Sequence, residues 1–209
     1  MSTAMRKVTI PLTGTYAGRT TEGRLYGGGS RAVILSNMNT NNQDEWRPLL
    51  EPLTSKGLMV LTYDYPDPQA DQWEVLEDVL TFIRAQEAER IVLIGASRGG
   101  VTSMQVLARS DTTDDVVGAA SISAPVEHEG TVFFESDELK GIAQPKLLIN
   151  TEGDECARGT RQMYELILDP KEMTFYPGQA HGTEIFAVHG EALVSKLVGF
   201  AESVLFPPE

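Results

Sequence analysis

Residues 95–100 read Gly-Ala-Ser-Arg-Gly-Gly and directly follow the apolar run Ile91-Val92-Leu93-Ile94. An apolar run of this length, ending at turn-forming residues, is typical of a buried strand. The glycines two positions before and after Ser97 allow a strand and a helix to pass close to a sharp turn between them. The sequence therefore predicts a strand, a tight turn and a helix, with the hydroxyl of Ser97 at the tip of the turn.

A helix that begins just after Ser97 directs its first N–H groups, and the positive end of its dipole, towards that hydroxyl. A serine in this position can attack a carbonyl carbon, and the N–H of Arg98 can hold the oxyanion that forms. A serine hydroxyl is a weak nucleophile at neutral pH, so it needs a base, usually histidine, and that histidine needs an orienting carboxylate.

The rest of the chain alternates apolar strand patterns with helical stripes. This alternation predicts an α/β fold, with a mostly parallel twisted sheet of about seven or eight strands and helices on both faces. We expect a single domain over residues 1–209, with an antiparallel edge hairpin in residues 1–30 and the parallel core in residues 31–209. The segment Val126–Gln144 is too short for a cap domain, with room for one short helix, so we expect an open or shallowly covered site.

The chain contains three histidines, His128, His181 and His189. His181 lies in the compact loop Tyr176–Gly182, after the last predicted strand. The carboxyl ends of parallel strands meet at one edge of a sheet, so this loop is expected to reach Ser97. His128 follows an earlier strand and His189 precedes the final helix, which makes His181 the predicted base.

The predicted acid lies between the serine and the histidine in chain order. The strand Leu147–Asn150 is followed by a loop that contains Asp154, which is our first choice. Glu152 and Glu155 are neighbours that local sequence does not exclude, and Glu127 after the preceding strand is a further alternative.

These motifs resemble the α/β-hydrolase superfamily, and within it the small capless members similar to dienelactone hydrolases and bacterial carboxylesterases. The resemblance rests on residues 95–100, on Gly153-Asp154 after a strand, and on Gly178-Gln179-Ala180-His181-Gly182. It extends from about Ala32 to the C-terminus. It implies that His181 deprotonates Ser97, that an acyl-enzyme forms, and that water activated by His181 releases the acid.

One stretch departs from the family pattern. Many relatives carry His-Gly after the strand that corresponds to Ala32–Leu35, and the next backbone N–H completes the oxyanion hole. Here the positions read Ser36-Asn37-Met38, so the resemblance makes the Met38 N–H the second donor. Asn37 can stand in for glycine because asparagine tolerates left-handed backbone. Asn39 can add a side-chain donor.

Composition excludes several other classes of function. The 209 residues carry a formal net charge of −13, which disfavours nucleic acid and anionic membrane surfaces as partners. Cys156 is the one cysteine, so no intrachain disulfide forms, and we expect an ordinary free thiol. The first six residues contain no apolar signal region, so a cytoplasmic location is expected. No motif for a nucleotide or a Cys/His spacing for zinc is present, so we expect neither cofactor nor metal.

The sequence thus favours a cofactor-independent serine hydrolase, a monomer or homodimer, that acts on small soluble carboxylic esters. Acyl transfer, perhydrolysis or peptide cleavage could use the same three residues. The alternative from another class is a non-catalytic ligand-binding or sensor protein built on the same fold.

Overall fold

The computed structural model of the protein describes residues 5–67, 72–135 and 137–207. Its strands are β1 (Met5–Pro11), β2 (Thr20–Tyr26), β3 (Arg31–Ser36), β4 (Met59–Tyr63), β5 (Arg90–Ala96), β6 (Val116–Ile122), β7 (Glu127–His128), β8 (Thr131–Val132), β9 (Lys146–Thr151) and β10 (Lys171–Tyr176). Its α-helices are α1 (Arg47–Thr54), α2 (Trp73–Arg84), α3 (Arg98–Arg109), α4 (Ala157–Leu166) and α5 (Ile185–Leu205).

Eight of the strands form one sheet in the order β1-β2-β4-β3-β5-β6-β9-β10. The six strands from β4 to β10 in this order run parallel, whereas β1 and β2 pair antiparallel with each other and β2 pairs antiparallel with β4. The mostly parallel α/β sheet of seven or eight strands predicted from the sequence is therefore confirmed. Residues 1–4 of the expected edge hairpin lie outside the described residues.

The helices cover both faces of the sheet. On one face, α2, α3 and α4 bury apolar side chains such as Leu76, Met104 and Met163. On the other face, α1 and α5 do the same with Leu49 and Leu197. Strands β3, β5 and β9 are buried on both sides, which explains why their sequences are continuous apolar runs rather than alternating ones.

The segment between β6 and β9 contains the antiparallel hairpin β7–β8 and a 3-10 turn at Glu138–Gly141. Glu129 and Gly130, which join the two short strands, both have positive φ, of 48° and 80°. Two left-handed residues in succession match the twist of a hairpin. Among the described residues, this segment contains no cap domain, as expected.

The final helix begins earlier than its apolar stripe suggests. We expected His189 to precede the helix, but α5 already includes it, at a kink where its φ of −131° and ψ of 27° are not helical. The short helical segment before the kink lies outside the regular stripe, so periodicity alone did not reveal it. In the described part of the chain, none of the helices combines the length and apolarity needed to cross a membrane.

Replacing Gly199 with alanine is expected to stabilise the protein. Gly199 lies on the exposed side of α5, and a methyl group there would meet no atom within 4 Å. Alanine should therefore raise the free energy of unfolding by about 0.5–1 kcal/mol, because it restricts the unfolded chain and favours the helix. Urea denaturation measures this change.

Gly118→Ala in β6 is the control, because its methyl group would lie 3.2 Å from Phe200 and from the Pro145 carbonyl oxygen. The control should be destabilised. A loss of stability in Gly199→Ala would contradict the assigned helix surface.

Candidate active site

Ser97 occupies a strained turn between β5 and α3. Its φ of 50° and ψ of −115° lie where residues with a side chain are rarely found. The turn is anchored on both sides: the Ser97 N–H donates to the Ile122 carbonyl at 2.7 Å, and the Val101 N–H donates to the Ser97 carbonyl at 3.0 Å. Neighbouring strand and helix therefore hold the serine in this conformation.

The three glycines around Ser97 are required by close packing. A Cβ on Gly95 would lie 2.0 Å from the Gly99 carbonyl oxygen, and a Cβ on Gly99 would lie 2.1 Å from the Ser36 carbonyl oxygen. A Cβ on Gly100 would lie 2.6 Å from the Ser121 hydroxyl. None of these three glycines has positive φ, so the left-handed residue of the motif is the serine itself.

The structure brings together the three side chains that the sequence analysis selected. His181 Nε2 lies 2.7 Å from Ser97 Oγ, and His181 Nδ1 lies 2.8 Å from Asp154 Oδ2. The Asp154 side chain is fully buried, whereas 28% of the His181 side chain is exposed. With Nδ1 protonated towards the carboxylate, Nε2 is positioned to accept the serine proton.

The charges of this group are set by its hydrogen bonds. Burial raises the pKa of Asp154, but hydrogen bonds from His181 and from the Cys156 N–H outweigh it, so the pKa lies below its ordinary value. The hydrogen bond to Asp154 raises the pKa of His181, against partial burial that lowers it. Asp154 is therefore held as a carboxylate that stabilises positive charge on His181.

The alternative acids lie elsewhere. Glu152 is exposed and forms an ion pair with Arg161, Glu127 is exposed on β7, and Glu155 is exposed beside the pocket. The carboxylate in contact with His181 is that of Asp154.

The other histidines also lie outside this group. His189 stacks on Tyr176 and its Nε2 lies 2.7 Å from the Pro177 carbonyl oxygen. His128 lies on β7, at the edge of the pocket that contains Ser97.

The side chain of Asn37 anchors the loop after β3, whereas the sequence had suggested a left-handed backbone at this residue. Asn37 has no positive φ; the left-handed residue of this loop is Asn41, with φ of 51°. The buried Asn37 side chain donates to the Tyr63 carbonyl at 2.8 Å and accepts from Trp46 Nε1 at 3.0 Å. Because the polar atoms of a buried amide must be satisfied, these bonds fix the loop against β4 and the segment before α1.

The two residues predicted to supply the oxyanion donors, Arg98 and Met38, line the same pocket as Ser97. Arg98 is the first residue of α3, so its N–H points towards the N-terminal end of that helix. The Met38 N–H has no hydrogen-bond acceptor among the residues that the structure describes. The Met38 sulfur accepts from the Thr183 N–H at 3.4 Å, which joins this loop to the one that carries His181.

Ser123, at the end of β6, supports the His181 loop and was missed by the sequence analysis. It is fully buried, has φ of 54°, and accepts a hydrogen bond from the Gly182 N–H at 2.9 Å while donating to Asn150 Oδ1 at 2.8 Å. Thr151 Oγ1 donates to the Ala180 carbonyl at 2.9 Å. The only sequence signal was the presence of polar residues directly after two apolar strands.

Ser97 and His181 line a pocket of about 520 Å³. The hairpin β7–β8 forms one side of it, and Val132 of that hairpin is 60% exposed. The remaining walls combine apolar and polar side chains, among them Met38, Val101, Phe133, Arg98 and Gln105. A pocket of this size and mixed lining suits a small organic molecule.

No family model matches the chain, and no curated protein matches its sequence. Solved structures do match. An esterase from Pyrococcus furiosus superposes with a TM-score of 0.81 at 16% identity, over 98% of this chain and 92% of that one. The α/β-hydrolase GrgF from a Penicillium species gives 0.78 at 16%, over 97% and 99%. An enol-lactonase from Burkholderia xenovorans gives 0.68 at 19%, over 86% and 96%. The chain has the α/β-hydrolase fold.

Gly95→Ala should disrupt the turn that carries Ser97. The new methyl group would overlap backbone atoms of Gly99 and Gly100 at the start of α3, so we expect the free energy of unfolding to fall by about 3 kcal/mol or more. Gly28→Ala is the matched control, because a methyl group there meets no atom within 4 Å. Denaturant unfolding of both variants measures the difference. Equal stability of the two would contradict the close approach of Gly95 to Gly99.

Proposed function

We propose that this chain with the α/β-hydrolase fold is a serine hydrolase that cleaves small carboxylic esters through an acyl-serine intermediate. The observation that carries the proposal is the continuous hydrogen-bonded line from Asp154 through His181 to Ser97, which ends at the wall of a pocket. In this assignment Ser97 is the nucleophile, His181 the general base and Asp154 the residue that orients and stabilises the imidazolium.

In the first step, Ser97 Oγ attacks the ester carbonyl carbon while its proton moves to His181 Nε2. The charge that appears on the imidazole is offset by the buried Asp154 carboxylate, whose lowered pKa keeps it ionised. His181 then gives the proton to the leaving alcohol, and the acyl group remains on Ser97.

The negative charge on the tetrahedral oxygen needs donors that are already oriented. The Arg98 N–H, at the start of α3, and the Met38 N–H, in the loop after β3, are assigned to this role. Met38 is held by its sulfur contacts to Thr183, and the loop is held by Asn37. These contacts support a fixed loop at Met38 in the absence of the His-Gly pair of many relatives.

In the second step, water takes the place of the alcohol. His181 removes a proton from that water, the hydroxide attacks the acyl carbon, and the proton returns to Ser97 as the acid leaves. Transfer to another alcohol, to peroxide or to an amine would differ only in the molecule that enters at this point. The names of the structural neighbours, esterase and enol-lactonase, support an ester or lactone substrate.

Short-chain p-nitrophenyl esters provide the direct test. The wild-type protein should turn over many equivalents, and Ser97→Ala should lose at least about 10³-fold in kcat because the nucleophile is gone. Steady-state release of p-nitrophenol measures this loss, and Ser203→Ala, on the exposed surface of α5, is the matched control.

Labelling with a fluorophosphonate, followed by mass spectrometry, should place the adduct on Ser97 in the wild-type protein. Equal hydrolysis by wild type and Ser97→Ala would refute the proposal. Release of one equivalent followed by arrest would favour the ligand-binding or sensor alternative.

Ser123→Ala tests whether the Ser123 hydroxyl holds the loop that carries His181 in place. Without the Ser123 hydroxyl, the Gly182 N–H and Asn150 Oδ1 lose a partner and the loop carrying His181 is less firmly held. We expect kcat to fall roughly tenfold, which corresponds to one hydrogen bond, while KM changes little because Ser123 does not line the pocket. The rate of fluorophosphonate labelling should fall in parallel. An unchanged labelling rate in a folded variant would contradict this role.

A further inference from the structure

A second group of reactive side chains lies at the edge of the pocket, outside the line from Asp154 to Ser97. An imidazole nitrogen of His128, a carboxylate oxygen of Glu155 and the sulfur of Cys156 all lie within 4.8 Å of one another. His128 comes from the hairpin, whereas Glu155 and Cys156 directly precede α4. His128 is far from Glu155 and Cys156 in the sequence, which is why no metal-binding spacing was visible there.

The three ligand types together favour a borderline-soft divalent cation. Thiolate and imidazole bind zinc and its chemical relatives well, and one carboxylate is a common third ligand. In a tetrahedral zinc site with bonds of about 2.0–2.3 Å, neighbouring ligand atoms lie about 3.5 Å apart. The three side chains therefore need to approach by little more than about 1 Å, which rotation of side chains can supply.

The backbone on both sides of the group is well anchored. The hairpin is closed at its base by the Phe133 N–H, which donates to the Val126 carbonyl at 2.9 Å. The Cys156 N–H donates to Asp154 Oδ1 at 2.8 Å, and the Cys156 carbonyl accepts from the Thr160 N–H at 2.9 Å. These bonds anchor the two main-chain segments that carry the three proposed ligands.

The charge of the whole chain also favours a cation. The whole chain carries a formal net charge of −13, which raises the concentration of cations near its surface.

We propose that His128, Glu155 and Cys156 form a site for a zinc-like divalent cation at the mouth of the pocket, and that the bound ion blocks hydrolysis. On binding, the Cys156 thiol gives its proton to solvent, a sulfur–metal bond forms, and water fills the remaining position. No electron transfer is involved. Binding itself does not depend on the proposed function, whereas the block on hydrolysis rests on it.

The block follows from the position of Cys156. Its sulfur also lies within 4.8 Å of a ligand atom of Asp154 and of His181, so an ion bound to it is next to the proposed catalytic group. There the ion and its water occupy space that a substrate needs, and its positive charge opposes the formation of an imidazolium on His181.

Cobalt(II) is the probe, because a thiolate ligand gives it a charge-transfer absorption band and tetrahedral geometry gives it strong visible bands. The wild-type protein should show both at one equivalent of metal. Cys156→Ser should lose the charge-transfer band, and His128→Asn should weaken binding by at least about tenfold. His189→Asn is the matched control, because this histidine lies outside the pocket and should leave the titration unchanged.

His128 is only partly buried, so His128→Asn is the variant that keeps the test informative if Cys156→Ser folds poorly. Absence of a charge-transfer band in the wild-type protein at saturating cobalt would overturn the site. Binding that is lost in His181→Asn but kept in His128→Asn would overturn it too, because the ion would then sit on Asp154, Cys156 and His181.

Zinc inhibition of ester hydrolysis tests the second half of the proposal. Zinc should inhibit the wild-type protein, and inhibition of His128→Asn should need at least about tenfold more zinc. Binding without inhibition would overturn the blocking role. If cobalt binds as expected but no variant, including wild type, hydrolyses any ester, the proposed function fails while the metal site stands.

Discussion

The left-handed turn at Ser97 is the constraint on which the rest of the structure depends. A serine with φ of 50° is costly unless its surroundings hold it in place. Here α3 packs so closely against the ends of β5 and β3 that a single methyl group on Gly95 or Gly99 would overlap a backbone oxygen atom. The strain is thus retained by packing, and it places the serine hydroxyl beyond the sheet edge, where the loops from other strands can reach it.

The parallel sheet supplies those loops. In the order β3-β5-β6-β9-β10, each strand ends at the same edge, so Met38, Ser97, Ser123, Asp154 and His181 lie in neighbouring loops although they are distant in the sequence. Short hydrogen bonds and sulfur contacts then join one loop to the next. The Met38 sulfur contacts Thr183, and the Ser123 hydroxyl accepts from the Gly182 N–H. The position of His181 therefore depends on contacts among several loops.

Buried polar groups carry much of this organisation. Asn37, Ser123 and Asn150 are fully buried, and each has hydrogen-bond partners on a neighbouring element. An unpartnered polar group in the same place would be costly, so such residues restrict the loops to arrangements that satisfy every bond. The hairpin β7–β8, in contrast, contains no buried polar side chain of this kind among its described residues. Its Val132 is exposed to solvent and lines one wall of the pocket.

Patterns in the sequence were enough to predict the sheet, the turn at Ser97 and the loop of His181. These features are local: apolar runs, helical stripes and the glycines around a serine each reflect the conformation of a few adjacent residues. The order of serine, acid and histidine along the chain added Asp154 as first choice among four carboxylates. The left-handed backbone expected at Asn37 was wrong. That expectation used the local conformational preference of asparagine, whereas the loop is fixed by buried hydrogen bonds of Asn37 with Tyr63 and Trp46.

Only the tertiary structure decided which side chains meet. Asp154, Glu152 and Glu155 are nearly equivalent in sequence, but the end of β9 directs only Asp154 to His181, while Glu152 faces Arg161. Ser123 and the grouping of His128 with Cys156 were likewise invisible, since they depend on where β6, the hairpin and α4 lie relative to one another. The physical reason is that local sequence determines the shape of each segment, whereas a site requires distances between segments, and those are set by the packing of the whole sheet.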